Sequence, residues 1–170
     1  MQCMSRLTTL VAILLLVALS SASSGADLEE HLRFLEPLLG LNWEGGYVGD
    51  NVPDLVISLR FEPVLNGMAV KYSREVVALN FFSETHFFWS PNRKEVLFID
   101  LNSRGIVGEG VVALQDGNIV LRGHNHWPEE SKEFETVLQL DPTGVLKDTF
   151  KLKENGELAG GHYQEFRVKE

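Results

Sequence analysis

From Trp43 to the C-terminus, apolar residues recur at every second position in short runs separated by turn residues, and no helical spacing intervenes. Leu55, Ile57, Leu59 and Phe61 alternate with Val56, Ser58, Arg60 and Glu62. Met68, Val70 and Tyr72 carry the alternation on, followed by Thr85, Phe87 and Trp89, then Leu97, Ile99 and Leu101. Phe134, Thr136, Leu138 and Leu140 form a later run, then Leu146, Asp148, Phe150 and Leu152, and a last one spans Tyr163 to Val168. Asn66-Gly67, Ser90-Pro91-Asn92, Asp116-Gly117, Pro142-Thr143-Gly144 and Asn155-Gly156 punctuate the junctions with residues that favour tight turns. Roughly ten short strands joined this way must run up and down, antiparallel. So many strands in so short a chain hide their edges best by closing on themselves, so the expected fold is an all-β up-and-down barrel.

The N-terminus has a different character. Met1 to Arg6 bears one positive charge, Leu7 to Leu19 is almost wholly apolar, and Ser20 to Ala26 is small and polar. That order is the pattern of a secretory signal peptide. The apolar run is shorter than the ~20 residues a membrane-spanning helix needs. Cleavage after Ala22 or Ala26 suits the small-residue rule; with the latter, residues 1–26 are the leader and residues 27–170 a single domain. The expected location is therefore outside the cytoplasm, secreted or periplasmic, with no membrane insertion after cleavage. Cys3, the one cysteine, belongs to the leader, so no disulfide framework is expected. A net charge of −9 and a pI near 5.0 argue against a nucleic-acid partner, which needs a basic face.

Ahead of the strands, Asp27-Leu28-Glu29-Glu30 has the form of a capping box. Leu28, Leu32, Leu35 and Leu39, widened by Phe34 and Leu38, then give a short helix that Pro37 and Gly40 should end. Such a helix is expected to pack on the barrel or plug it.

The segment Leu38-Leu39-Gly40-Leu41-Asn42-Trp43-Glu44-Gly45 resembles the opening of a calycin-type barrel. Lipocalins and related families place a glycine and a tryptophan after a short helix. Here the spacing Gly40 to Trp43 is one residue longer than their Gly-x-Trp. The resemblance implies that a basic residue of the last strand, Arg167, lies over the Trp43 ring and closes the barrel. Within that superfamily the chain is most similar to the ten-stranded nitrobindin-like heme-binding barrels and their uncharacterised bacterial relatives. The similarity rests on Asn66 to Arg74, Glu84 to Trp89, Gly105 to Gly110 and His162 to Arg167. It implies heme as a cofactor, with His162 as axial ligand. Gly160-Gly161 beside that histidine equally suits a β-bulge with a partly exposed side chain.

A second group of chemistry-bearing residues follows from the Asp116-Gly117 turn. A two-residue hairpin there pairs Glu109 with His124, Val111 with Arg122 and Val107 with His126. Glu109, His124 and His126 then share one face, as a metal set or an acid–base pair if that face points inward. If it faces water, they are ordinary cross-strand neighbours. Gly108, Gly110 and Gly123 occupy the opposite face, where missing side chains let a ligand approach the backbone.

Phe61, Tyr72, Phe87, Trp89 and Phe98 are the aromatic residues available to line a cavity for one small, mostly apolar molecule. The interior can be filled or hollow on these grounds. No Gly-x-Ser-x-Gly elbow or phosphate-binding glycine loop is present. Three functions remain open: a secreted binding protein for a small apolar ligand, a heme protein using His162, and a barrel lyase, isomerase or hydrolase using Glu109 and His124.

Overall fold

The structure, a computed structural model, describes residues 27–170. The expected leader lies outside the described residues. The strands are β1 (Asn42–Tyr47), β2 (Ile57–Val64), β3 (Ala69–Val76), β4 (Phe81–Ser90) and β5 (Glu95–Asn102). They continue as β6 (Val107–Gln115), β7 (Asn118–His126), β8 (Ser131–Leu140), β9 (Leu146–Glu154) and β10 (Glu157–Val168). Each pairs antiparallel with its neighbours in the chain, and β1 pairs with β10, so the sheet is a closed ten-strand barrel. All-β, up-and-down and closed, it is the fold the alternation predicts.

The segment before β1 is helical but not α-helical. Glu30–Leu38 is a 3-10 helix, and Glu29 caps it by accepting a hydrogen bond from the His31 amide at 2.8 Å. Leu32, Leu35 and Leu38 are its buried residues. Their spacing of three matches the three residues per turn of a 3-10 helix, whose side chains eclipse at i and i+3. The four-residue step from Leu35 to Leu39 suggested the wrong period, and the cap is Glu29 rather than Asp27. Burying three leucines contributes about 1.5–3 kcal/mol each, enough to hold a helix type that is otherwise marginal at this length.

This helix packs at the end of the barrel where β1 begins and β4 ends. Trp43 is buried there and donates from Nε1 to the Leu38 carbonyl at 3.4 Å. Phe61, Val70, Phe87, Leu146 and Phe166 fill the same half of the interior. On β5 the inward phase is Val96 and Phe98, whereas Leu97, Ile99 and Leu101 face outward, opposite to the expected alternation. Both phases of that strand are apolar, so period alone could not choose between them.

Strand parity also corrects the expected closure by Arg167. Trp43 pairs with Val168, and Arg167 sits opposite Glu44. Directly paired residues share a face and sequence neighbours alternate, so inward Trp43 places Arg167 outside. It is exposed, and the Trp43 ring has no cation over it among the described residues. Backbone pairing of β1 with β10, together with the buried Trp43 and Phe166 side chains, closes the barrel.

Two glycines let the β6 and β7 backbones approach closely. Gly110 and Gly123 are directly paired across β6 and β7. A Cβ on Gly110 would collide with the Arg122 carbonyl, and one on Gly123 with the Glu109 carbonyl. Glycine is required at both because the neighbouring backbone occupies the side-chain space.

Candidate functional site

The half of the barrel away from the 3-10 helix is not filled. It holds a cavity of about 150 Å³ lined by Tyr72 and Arg74 of β3, Thr85 of β4, Phe98 and Asp100 of β5, and Asn125 of β7. Phe134 and Thr136 of β8, Asp148 and Phe150 of β9, and His162 of β10 also line it. The interior is therefore filled at one end and hollow at the other.

Aromatic rings make much of this wall. Phe98 meets Phe134 edge-on with centroids 5.8 Å apart, Phe134 lies 5.5 Å from Phe150, and Phe150 stacks on His162 at 5.1 Å. Tyr47 closes the row with an edge contact to His162 at 5.5 Å. Of the five aromatics expected to line a cavity, Tyr72 and Phe98 do so. Phe61 and Phe87 point inward but belong to the filled half, Phe61 stacking on Tyr72 at 4.4 Å. Trp89 stacks instead on His31 at 3.6 Å, near the helix end.

The polar residues of the cavity form two groups. Arg74 makes an ion pair from Nη2 to Asp148 Oδ2 and donates from the same atom to the Tyr72 hydroxyl at 2.8 Å. Burial works against the Arg74 charge, but its contacts with Tyr72 and Asp148 outweigh that and keep it ionised. Burial likewise raises the Tyr72 phenol to about 12, Arg74 only partly opposing it, so Tyr72 remains neutral. In the second group Thr85 donates from Oγ1 to Asp100 Oδ1 at 2.7 Å. Burial raises the Asp100 pKa, with the Thr85 hydrogen bond and the Arg74 charge partly offsetting it.

Asp148 Oδ1 and His162 Nε2 in the cavity lack a hydrogen-bond partner among the described residues, as do both amide atoms of neighbouring Gln164. Gln164 is directly paired with Asp148 and fully buried. Leaving such groups unpaired costs about 1–3 kcal/mol each, which water or a ligand in the cavity would relieve.

His162 reaches the interior because of one extra residue. The β10 register against β9 jumps between Ala159, opposite Leu152, and His162, opposite Phe150. Gly160 and Gly161 supply that bulge with φ of 61° and 88°, values that favour glycine. Without the bulge His162 would point outward. Burial lowers its pKa, so it is held neutral more readily than a free imidazole.

The Glu109 group has the predicted register and faces water. Glu109 pairs with His124, Val111 with Arg122 and Val107 with His126. All lie on the outer surface, where His126 Nε2 comes diagonally within 3.4 Å of Glu109 Oε1 and Arg122 Nε pairs with Glu135 Oε2 at 2.7 Å. The His124 and His126 ring centroids are 6.2 Å apart. Among the described residues no three histidine, cysteine or acidic side chains are placed to hold a metal ion, so the expected metal set does not converge. A wide open groove of about 800 Å³ runs over this outer face, with Phe88, Leu97, Ile99 and Val111 among its floor residues and Glu109, Arg122 and His124 along its sides.

Arg74, Asp100 and Asp148 are the site residues that sequence motifs do not reveal. Asp148 occupies the apolar phase of its strand between Leu146 and Phe150, and Arg74 follows Tyr72 by two. A polar residue in an inward phase was the available signal. Compared with known proteins, the chain matches no family profile and no curated protein.

Proposed function

We propose that this chain is an exported, calycin-like binding protein that holds one small molecule in the hollow half of its barrel. The observation that carries this reading is the cavity itself, where aromatic faces meet buried polar atoms that have no partner within the fold. A core selected for stability alone would bury neither an ion pair nor an unpaired amide. The lining revises the expected ligand from mostly apolar to flat and polar-edged. A leader pattern at residues 1–26 supports export, and the short helix before buried Trp43 in a closed ten-strand barrel supports kinship with the calycins.

Heme does not suit this interior. His162 points inward with Nε2 free, as an axial ligand would, but it faces a cavity of about 150 Å³. Pockets for drug-sized ligands run to ~300–1,000 Å³, and a porphyrin is no smaller than such a ligand. For the enzyme reading, Glu109 and His124 are exposed on the outer face, along an open groove that does not shield a reacting pair from water.

Native mass spectrometry of the protein purified from its producing cells tests the proposal. A ligand of a few hundred daltons or less at one copy per chain, lost in the cavity-filling variant Thr136→Trp, is the expected result. Adduct binding that survives in Thr136→Trp would place the site elsewhere and overturn the proposal.

A further inference from the structure

Resting on that reading, the geometry points to the class of ligand: a small organic monocation, one flat ring or its equivalent bearing a protonated amine or amidine. The charge ledger of the cavity is the first argument. Its lining contains one cation, Arg74, and two carboxylates, Asp100 and Asp148. The Arg74 guanidinium is engaged by Asp148 Oδ2 and the Tyr72 hydroxyl, and so is already compensated. Asp100 has only the neutral Thr85 hydroxyl as a hydrogen-bond partner among the described residues. With His162 neutral and Asp100 ionised, the cavity holds one negative charge in excess, which a monocation neutralises and an anion would double; burial pushes the Asp100 pKa up, and a bound cation opposes that push.

The second argument is the set of free acceptors. Asp148 Oδ1 is buried and accepts nothing among the described residues, and Asp100 Oδ2 makes no hydrogen bond there. A bound group with two or more N–H donors satisfies them with charge-assisted bonds, the stronger kind. The walls supply the third argument. Tyr72, Phe98, Phe134 and Phe150 present ring faces and edges to the same space, and a cation held against aromatic faces away from water gains more than it does at a surface. The volume of about 150 Å³ limits the ligand to about one ring, comparable with an engineered cavity that takes up benzene.

The groups facing Asp100 define the pH behaviour. They are Tyr72 and Arg74 from β3, Thr85 from β4, Asn125 from β7, Asp148 from β9 and His162 from β10. Arg74 stays charged and Tyr72 neutral over the working range. Protonation of Asp100 and of His162 on acidification both remove negative charge or add positive charge, so cation affinity falls in acid.

Calorimetric titration of the purified protein with three probes of one shape tests this: benzamidinium, neutral benzamide and anionic benzoate. Benzamidinium is expected to bind at least tenfold more tightly than benzamide, and benzoate most weakly. Asp100→Asn should weaken benzamidinium at least tenfold and leave benzamide within twofold. Thr85→Ser, which keeps the hydroxyl that donates to Asp100, should retain the preference for the cation. Benzamide or benzoate binding as tightly as benzamidinium overturns the charge assignment and leaves the cavity as a binding site. Failure of all three probes to bind overturns the assignment and the binding reading together.

Discussion

Replacing Arg74 by methionine removes the one cation from a cavity built around it and leaves Asp148, 1% exposed, without a counter-charge. Truncating one member of a buried pair costs about 3–5 kcal/mol, because the other charge stays behind unpaired. The Arg74 side chain is 18% exposed, so some solvent reaches the pair and the lower end of that range applies. The Tyr72 hydroxyl also loses its donor, although it can turn to water in the cavity. We therefore expect Arg74→Met to destabilise the fold by about 3 kcal/mol, a fall in Tm on the order of 6–12 °C at this chain size. The double variant Arg74→Met/Asp148→Leu removes both charges and should lie within about 1 kcal/mol of the parent, since a hydrophobic replacement of similar volume compensates the lost pair. Urea midpoints for the parent, both single variants and the double variant give the coupling directly, provided the slopes agree. A single Arg74→Met variant within ~0.5 kcal/mol of the parent would refute the reasoning, because a change that small is typical of an exposed arginine.

Gly123→Ala should cost more than about 2 kcal/mol in the same assay, because the added methyl meets the Glu109 carbonyl of the paired strand. Arg167→Ala should change stability by no more than ~0.5 kcal/mol, whereas Trp43→Ala should cost about 3–5 kcal/mol; the reverse order would restore Arg167 over the indole. Burial lowers the His162 pKa, so the unfolded chain binds the proton more readily as pH drops below ~6.5. Stability is thus expected to decline on acidification through that window, and His162→Gln should flatten the decline in a Tm-against-pH series; an unchanged slope would show that His162 is not the group responsible.

The barrel was legible because its signal is local and repeated. Each strand announces its own period, and Asp116-Gly117 sets the β6–β7 register, which the structure reproduces residue for residue. The errors arose where two physical readings share one pattern. On β5 both phases are apolar, since Leu97 and Ile99 floor the outer groove while Val96 and Phe98 face the core. In the N-terminal helix, leucines at 32, 35, 38 and 39 satisfy both helical periods, and burial selected the tighter one. Arg167 shows that nearness along paired strands does not make contact, because a shift of one residue changes the face. The cavity was the least legible part. Residues from seven strands line it, and its chemistry lies in Arg74, Asp100 and Asp148, single polar side chains scattered over the chain with no spacing motif. The inward phase of Arg74 and Asp148 was visible, that of Asp100 was not, and the convergence of all three depends on barrel closure.

The claim that the hollow half of the barrel, and not the outer groove, receives the ligand is tested most directly by a shift-mapping NMR titration with ring-sized fragments. The account predicts saturable shifts at Tyr72, Arg74, Thr85, Asp100 and His162, with Leu97, Ile99, Val111 and His124 silent. Saturable shifts confined to the outer set, with the interior unchanged, would contradict it.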